Sequence, residues 1–370
     1  MIRLSLFSQG VFMNQRISRP PGASLPLAKI TCAIVLAALA ATAFYAHPLA
    51  AADGNYHLLK KVVLGGEGFW DYLICDSDAR RVYISRGTHV MVVDADSYAV
   101  VGDIPGTDGV HGIALASEFG RGFTSNGRTN NVTIFDLKTL KVLGTAPTGE
   151  GPDAIVYDPA SKRVFTLNGH GGSATAIDAA SGTPAGTITL RGRPEFAVAD
   201  GQGHIYNNLE DKSELLQIDS QKLTVTERWP LAPCEEPSGL AMDREHRRLF
   251  AGCHNQMMAV VDADSGKVLA TPAIGQGVDA NAFDPGTGLA FSSNGDGTLT
   301  VVHEDSPGKF TPVASVPTQR GARTMALDLN THNIFLVTAE FGPPPAPTPD
   351  RPHPRPRAVP GTFTLLVLGM

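Results

Sequence analysis

A short signal returns six times along this chain: an apolar run, an acidic stop, then a turn. It reads VMVVD ending at Asp94, VTIFD at Asp136, TAID at Asp178, LLQID at Asp219, MAVVD at Asp262, and LTVVH at His303 followed by Glu304. The steps are 42, 42, 41, 43 and 41 residues (136−94, 178−136, 219−178, 262−219, 303−262). A fixed period just above forty marks a repeat architecture. One such unit cannot bury its own apolar face, and stacked copies can.

Each period carries four strand signals and no helix signal. In the stretch 150–190, Ala154–Tyr157 ends at Asp158-Pro159 and Arg163–Leu167 ends at Asn168-Gly169. Ala174–Ile177 then runs to Asp178, and Gly186–Leu190 closes the unit. Short runs bounded by Gly, Pro, Asn and Asp are hairpin-connected strands. Four antiparallel strands in about 40 residues describe a β-propeller blade. The repeated Asp has a local use: at a strand end it bonds its own backbone two residues on. Asp94, Asp136, Asp178, Asp219 and Asp262 are therefore expected as turn formers, outside any active site.

First strands fall at Asp71–Cys75, His111–Leu115, Asp153–Tyr157, Glu195–Ala199, Ser238–Met242, Asp279–Phe283 and Arg323–Leu327. The last unit has Asn333–Thr338 and Thr362–Leu368 but no fourth strand, and His57–Leu64 is spare at the other end. Pairing the two closes a ring and removes a free sheet edge. The expectation is an all-β, seven-bladed β-propeller of four-stranded antiparallel blades, closed by an N-terminal strand joining the C-terminal blade.

The unit GPDAIVYDPASKRVFTLNGHGGSATAIDAASGTPAGTI resembles the YVTN-type propeller repeat of YncE-like bacterial proteins, and the resemblance covers roughly residues 56–370. It implies export and a binding or interaction role. A propeller by itself assigns no chemistry.

Residues 1–52 read as a secretory signal, with Met13 as an alternative start. Ile30–Ala46 is apolar, follows Arg16, Arg19 and Lys29, and leads to Ala50-Ala51-Ala52 before Asp53. A retained anchor is the competing reading, although 17 residues is short for a span. The remainder, 53–370, reads as one propeller domain in a bacterial periplasm or secreted. Cys234 and Cys253 flank the fifth blade's first two strands. Pairing Asp243 with Arg248 places Cys253 opposite Ser238, with Cys234 a short loop away. An oxidising compartment permits a disulfide there; two buried free thiols are the alternative. Cys75 reads as a core thiol.

Net charge is −6 and 18% of residues are charged, which argues against a general polyanion binder. There is no P-loop, H-E-x-x-H, C-x-x-C or C-x-x-C-H motif. The first residue of each first strand should sit at one mouth of the central channel: Asp71, His111, Asp153, Glu195, Ser238, Asp279 and Arg323. Six of these seven are ionisable. The ring order puts His111 between Asp71 and Asp153, and Arg323 between Asp279 and Asp71. Clustered carboxylates repel unless neutralised, either by Arg323 and a protonated His111 or by a divalent cation such as calcium. Candidate metal ligands are Asp71, His111, Asp153, Glu195 and Asp279. A solvated, salt-bridged mouth with no ligand is the plainer alternative.

Loops on the same face carry Arg86, three Asn-Gly pairs at Asn126, Asn168 and Asn294 that read as turn chemistry, and His89, His170 and His254. Trp70 reaches the mouth either to stack on a ligand or to pack between the first and last blades. The insert 342–361, GPPPAPTPDRPHPRPRAVPG, is of polyproline-II type. It is basic through Arg351, His353, Arg355 and Arg357, and is a lid, a docking arm for a partner or a disordered loop. The functional expectation is an exported, monomeric, non-enzymatic binding or scaffold protein. It would use the mouth face for a small molecule, cation or protein partner. The rival is a lactonase-like or other metal-dependent hydrolase; single-stranded nucleic-acid binding ranks lowest, because the acidic ring opposes phosphate.

Overall fold

The computed structural model of the chain describes residues 55–66, 68–346, 348, 354 and 356–370. The signal segment and Arg351, His353 and Arg355 lie outside the described residues. Within them the chain is all-β apart from two single-turn 3₁₀ segments, Ser117–Phe119 and Glu210–Lys212. No helix among the described residues is long and apolar enough to cross a membrane.

Strands pair antiparallel with their sequence neighbours into five four-stranded sheets and one seven-stranded sheet. The seven-stranded sheet forms because the 17-residue strand Val100–Ala116 serves two units. Its first part pairs with Gly87–Asp94 and its last part with Arg121–Asn126. His57–Val63 pairs antiparallel with Thr364–Gly369, in one sheet with Ile334–Thr338 and Met325–Leu327.

The core is divided into clusters that lie between units. Phe165, Leu167 and Ala176 of one unit pack on Ile205, Leu209 and Leu216 of the next. Tyr206 and Leu215 pack on Leu240 and Leu249 of the unit after. The last unit gives Phe335, Val337 and Leu365 to the first, which answers with Val82, Ile84 and Val93. The innermost strands touch in succession; Leu73–Asp76 lies against both Val100–Ala116 and Met325–Leu327.

Several expectations are corrected in detail. The innermost strands of the first and last units begin two residues later than expected, at Leu73 and Met325, so Asp71 and Arg323 precede their ladders. Five others carry a β-bulge near their first residues. Pro152 pairs with Asn168, yet Ile155 pairs with Thr166, so Asp153 and Ala154 together oppose Leu167. The same irregularity falls at His111, Glu195, Ser238 and Asp279. For that reason Cys253 pairs with Pro237 and not with Ser238. The structure bonds Cys253 to Cys234, with Cα atoms 5.5 Å apart.

The repeated Asp residues close turns: Asp94, Asp136 and Asp219 accept from the amide two residues on, as expected, and all five also accept from the amide three residues on. Asp94 Oδ1 accepts from the Ser97 amide and hydroxyl, both at 2.7 Å, and Asp178 does the same with Ser181 at 2.7 and 2.8 Å. These bonds hold both carboxyls below their ordinary pKa. The Asn-Gly pairs are not mirror-image hairpin turns, since Asn126, Asn168 and Asn294 have negative φ. Their side chains are buried and tie the second strand to the third. Asn168 Nδ2 donates to Ser173 Oγ at 3.1 Å and Thr175 Oγ1 at 3.0 Å, and Asn126 and Asn294 repeat the arrangement.

Gly239 shows how closely the inner strands meet: a Cβ there would lie 2.7 Å from the Ala280 backbone. Gly144, on an outer strand, has open space at the same point. Gly239→Ala is expected to cost about 1–3 kcal/mol in urea unfolding, by overpacking against backbone. Gly144→Ala should change stability by no more than about 1 kcal/mol, in the stabilising direction.

Candidate functional site

The bulges aim the mouth residues and the neighbouring unit fixes them. Ser125 and Ser293, on second strands, donate to the carbonyls of Asp153 and Arg323 in the following units. Asn208 Nδ2 donates to the Ser238 carbonyl at 2.9 Å, and Thr324 Oγ1 to that of Asp71 at 2.8 Å. Four of the seven mouth residues, Asp71, Asp153, Ser238 and Arg323, thus have their backbone held across a unit boundary while the side chain differs from unit to unit.

The side chains divide into three groups. His111 Nδ1 lies 2.6 Å from Asp71 Oδ2 and 3.6 Å from Asp153 Oδ1. Arg323 Nε lies 2.9 Å from Asp279 Oδ2, whose other oxygen accepts from Ser238 Oγ at 3.0 Å. Glu195 hydrogen-bonds to Glu210, which Arg193 holds at 2.6 Å. Glu210 comes from the 3₁₀ turn after a second strand, a position that the first-strand register does not reach.

Burial raises the Asp153 carboxyl to about 7; His111 opposes the rise, while Asp71 and Asp279 add to it. Asp279 rises to about 6 through burial, which outweighs Arg323. Glu195 is pushed up by burial, then by Asp153 and by its bond to Glu210. Burial alone would lower His111, but the bond to Asp71 and the charges of Asp153 and Asp71 raise it overall. Each group places a histidine or an arginine beside its carboxyls: His111, Arg323 or Arg193. Asp153 Oδ1 is shut off from solvent with no hydrogen-bond partner among the described residues.

Above these groups opens a cavity of about 540 Å³, walled by Phe69, His111, Asp153, His170, Arg193 and Glu195. Below them Tyr72 stands edge-on to Phe196, ring centres 5.1 Å apart. Its phenol is neutral, held well above its ordinary pKa by burial and then by the ring's carboxylates. Both rings also line a separate apolar cavity of about 350 Å³ deeper in the channel.

Among the other sequence candidates, Trp70 packs inward, 5.3 Å from Phe363 and 6.1 Å from Phe341. Its neighbour Phe69 is 51% exposed and meets the His111 ring edge-on at 6.2 Å. Arg86 is buried with its guanidinium 3.5 Å over the Phe363 ring, and burial lowers its pKa to about 10. Only His170 of the three loop histidines shares the cavity with His111; His89 pairs with Asp103, and His254 with Glu236. Asp71, His111 and Asp153 bring ligand atoms within 4.8 Å of one another, the spacing of a metal site. Asp279 and Glu195 do not join that group.

Neither a family model nor a curated protein sequence matches the chain. Solved structures do. Kuenenia stuttgartiensis hydrazine synthase aligns at TM-score 0.64 and 14% identity, over 72% of this chain and 91% of that one. A U3-55K structure aligns at 0.68 and 10%, over 84% and 98%. The RRP9 WD40 repeats align at 0.69 and 9%, over 85% and 97%. At these identities the likeness shows the fold: the chain is a β-propeller with WD40-type neighbours.

The raised groups set the pH dependence of stability. His111 (ordinary value 6.5) and Asp153 (ordinary value 3.8, folded about 7) hold protons in the folded state that the unfolded chain has released. Such contributions are complete below the unfolded pKa and are lost as pH rises through the folded one. The lowered turn Asp residues act oppositely, but only near and below 3.8. Urea unfolding should therefore show lower stability at pH 8 than at pH 5, by an amount on the order of 1 kcal/mol. Asp153→Asn should flatten the slope.

Proposed function

We propose that the chain is an exported, YncE-like propeller of seven blades, closed by its N-terminal strand, whose mouth face binds a small polar ligand without chemically transforming it. Support for the blade count comes from the period of about 42 residues, the core clusters between successive units, and the pairing of His57–Val63 with Thr364–Gly369. The apolar run Ile30–Ala46 and the Cys234–Cys253 pairing favour an oxidising compartment outside the cytoplasm. The names of the propeller neighbours supply a scaffold and no ligand.

One observation carries the binding reading: an open cavity of about 540 Å³ above carboxylates that are already neutralised from within. Sites of this size take small molecules, with a few fixed polar groups setting orientation. His111 and Asp153 offer a donor and an acceptor, Arg193 a charge, Glu195 a further hydrogen-bonding group, and Phe69 an apolar wall. Ser238 donates its hydroxyl hydrogen bond to Asp279 and makes none to a histidine among the described residues, so it does not resemble an activated nucleophile.

The approach of Asp71, His111 and Asp153 favours a second reading, a cation site. One histidine with two carboxylates suits zinc or manganese better than the all-oxygen shell that calcium prefers. Such an ion would supply the activated water of a hydrolase.

Metal analysis of the mature protein, and thermal unfolding against a panel of zwitterionic and hydroxylated metabolites, separate the two. Binding predicts metabolite-dependent stabilisation, untouched by chelator and lost in Asp153→Asn. Stoichiometric metal, together with lactone or ester hydrolysis abolished by chelation, would overturn the non-enzymatic reading.

A further inference from the structure

A second cavity opens beside the mouth, of about 640 Å³, and its chemistry is opposite to that of the first. Phe69 stands between the two and lines both. The second is walled by Phe69, Trp70 and Phe341, with Arg320, Arg323 and Arg357 and no acidic residue among the described residues of its lining. Three guanidinium groups line one apolar hollow in a chain of net charge −6, and two of them, Arg320 and Arg357, have no carboxylate partner among the described residues, so they form a local excess of positive charge.

The arginines arrive on anchored backbone. The Arg320 carbonyl accepts from Thr338 Oγ1 at 2.8 Å. The Arg357 carbonyl accepts from the Gly342 amide at 2.9 Å, and Phe341 bridges Ala358 beside it. These bonds close the base of the proline-rich insert like a hairpin. Arg323 is fixed by Asp279 through Nε, which leaves the terminal nitrogens of its fork as further donors. Arg320 and Arg357 are exposed and have no carboxylate partner among the described residues. Gly321 completes the hollow: a Cβ there would lie 2.8 Å from the Phe341 ring.

Forked guanidinium groups recognise planar carboxylates in bidentate fashion, and aromatic walls take a ring by stacking or edge contact. We propose that this cavity is a separate binding site for a small organic acid with an aromatic body. The carboxylate faces Arg320, Arg323 and Arg357, and the ring sits among Phe69, Trp70 and Phe341. A fully hydrated inorganic anion would leave the aromatic walls unused, and a neutral aromatic would leave the arginines unused. The inference is independent of any ligand in the mouth cavity.

The test uses the mature chain and three probes: phenylacetate, its neutral counterpart 2-phenylethanol, and acetate. Titration calorimetry at pH 7 should give a sub-millimolar Kd for phenylacetate and at least tenfold weaker binding of the other two. Trp70 emission should change with the same affinity. The double variant Arg320→Gln/Arg357→Gln touches no internal ion pair among the described residues and should weaken phenylacetate at least tenfold, with an unaltered unfolding midpoint. Trp70→Phe keeps an aromatic wall and should retain binding. The proposal fails if no probe binds, if 2-phenylethanol binds as well as phenylacetate, or if the double variant binds normally. It also fails if Arg193→Gln weakens binding instead, because the acid would then occupy the mouth cavity.

Discussion

Each unit of this chain is covered by the next, and that dependence organises the rest of the molecule. The clusters pair Leu167 with Leu209, Tyr206 with Leu240, and Val82 with Val367 across unit boundaries. Apolar burial therefore accrues at interfaces and not inside sheets, as a repeat array requires. Charged staples follow the same plan on the turn side. Arg80 reaches Asp328, Arg247 reaches Asp200 and His332 reaches Asp284, each acid fully buried and each pair joining neighbouring units. Buried pairs of this kind add little net stability, but breaking one would strand a buried charge. They therefore favour a single register between units.

That packing explains the placement of the mouth. Inner strands crowd toward the axis, where Gly239 meets the Ala280 backbone, and a bulge absorbs the extra residue just at the rim. Bulges re-aim side chains, and here they turn His111, Asp153, Glu195, Ser238 and Asp279 toward the opening. The neighbouring unit secures the carbonyls of four mouth residues: Ser125 that of Asp153, Asn208 that of Ser238, Ser293 that of Arg323 and Thr324 that of Asp71. Fixed backbone with a variable side chain is a suitable frame for a binding ring, because chemistry can change at each position without disturbing the packing.

Much of this was legible from spacing alone. The period located the strands, the turn aspartates and the mouth residues, since each depends on position within a unit. The order of neighbours around the ring also foretold His111 between two aspartates and Arg323 beside Asp279. What spacing could not reach depends on side-chain direction. The bulge moved Cys253 from Ser238 to Pro237. The asparagines of the Asn-Gly pairs turned inward to Ser and Thr partners two strand positions apart, a pattern visible in retrospect as Thr166, Asn168, Ser173 and Thr175. Glu210 entered from a 3₁₀ turn between a second and a third strand, and Trp70 took the packing alternative, against Phe341 and Phe363 of the last unit, which leaves Phe69 as the exposed ring.

The two cavities on this face have a common electrostatic origin. Burial raises the Asp153, Glu195 and Asp279 carboxyls, and His111, Arg323 and Arg193 lie beside the mouth acids as local partners. Once those groups are internally balanced, the ring draws little on charges further out. Arg320 and Arg357 therefore remain as net positive charge instead of collapsing onto the acids, and Phe69 separates the two fields. A face with a polar pocket on one side and a cationic aromatic pocket on the other follows from where the carboxylates are buried, more than from how many there are.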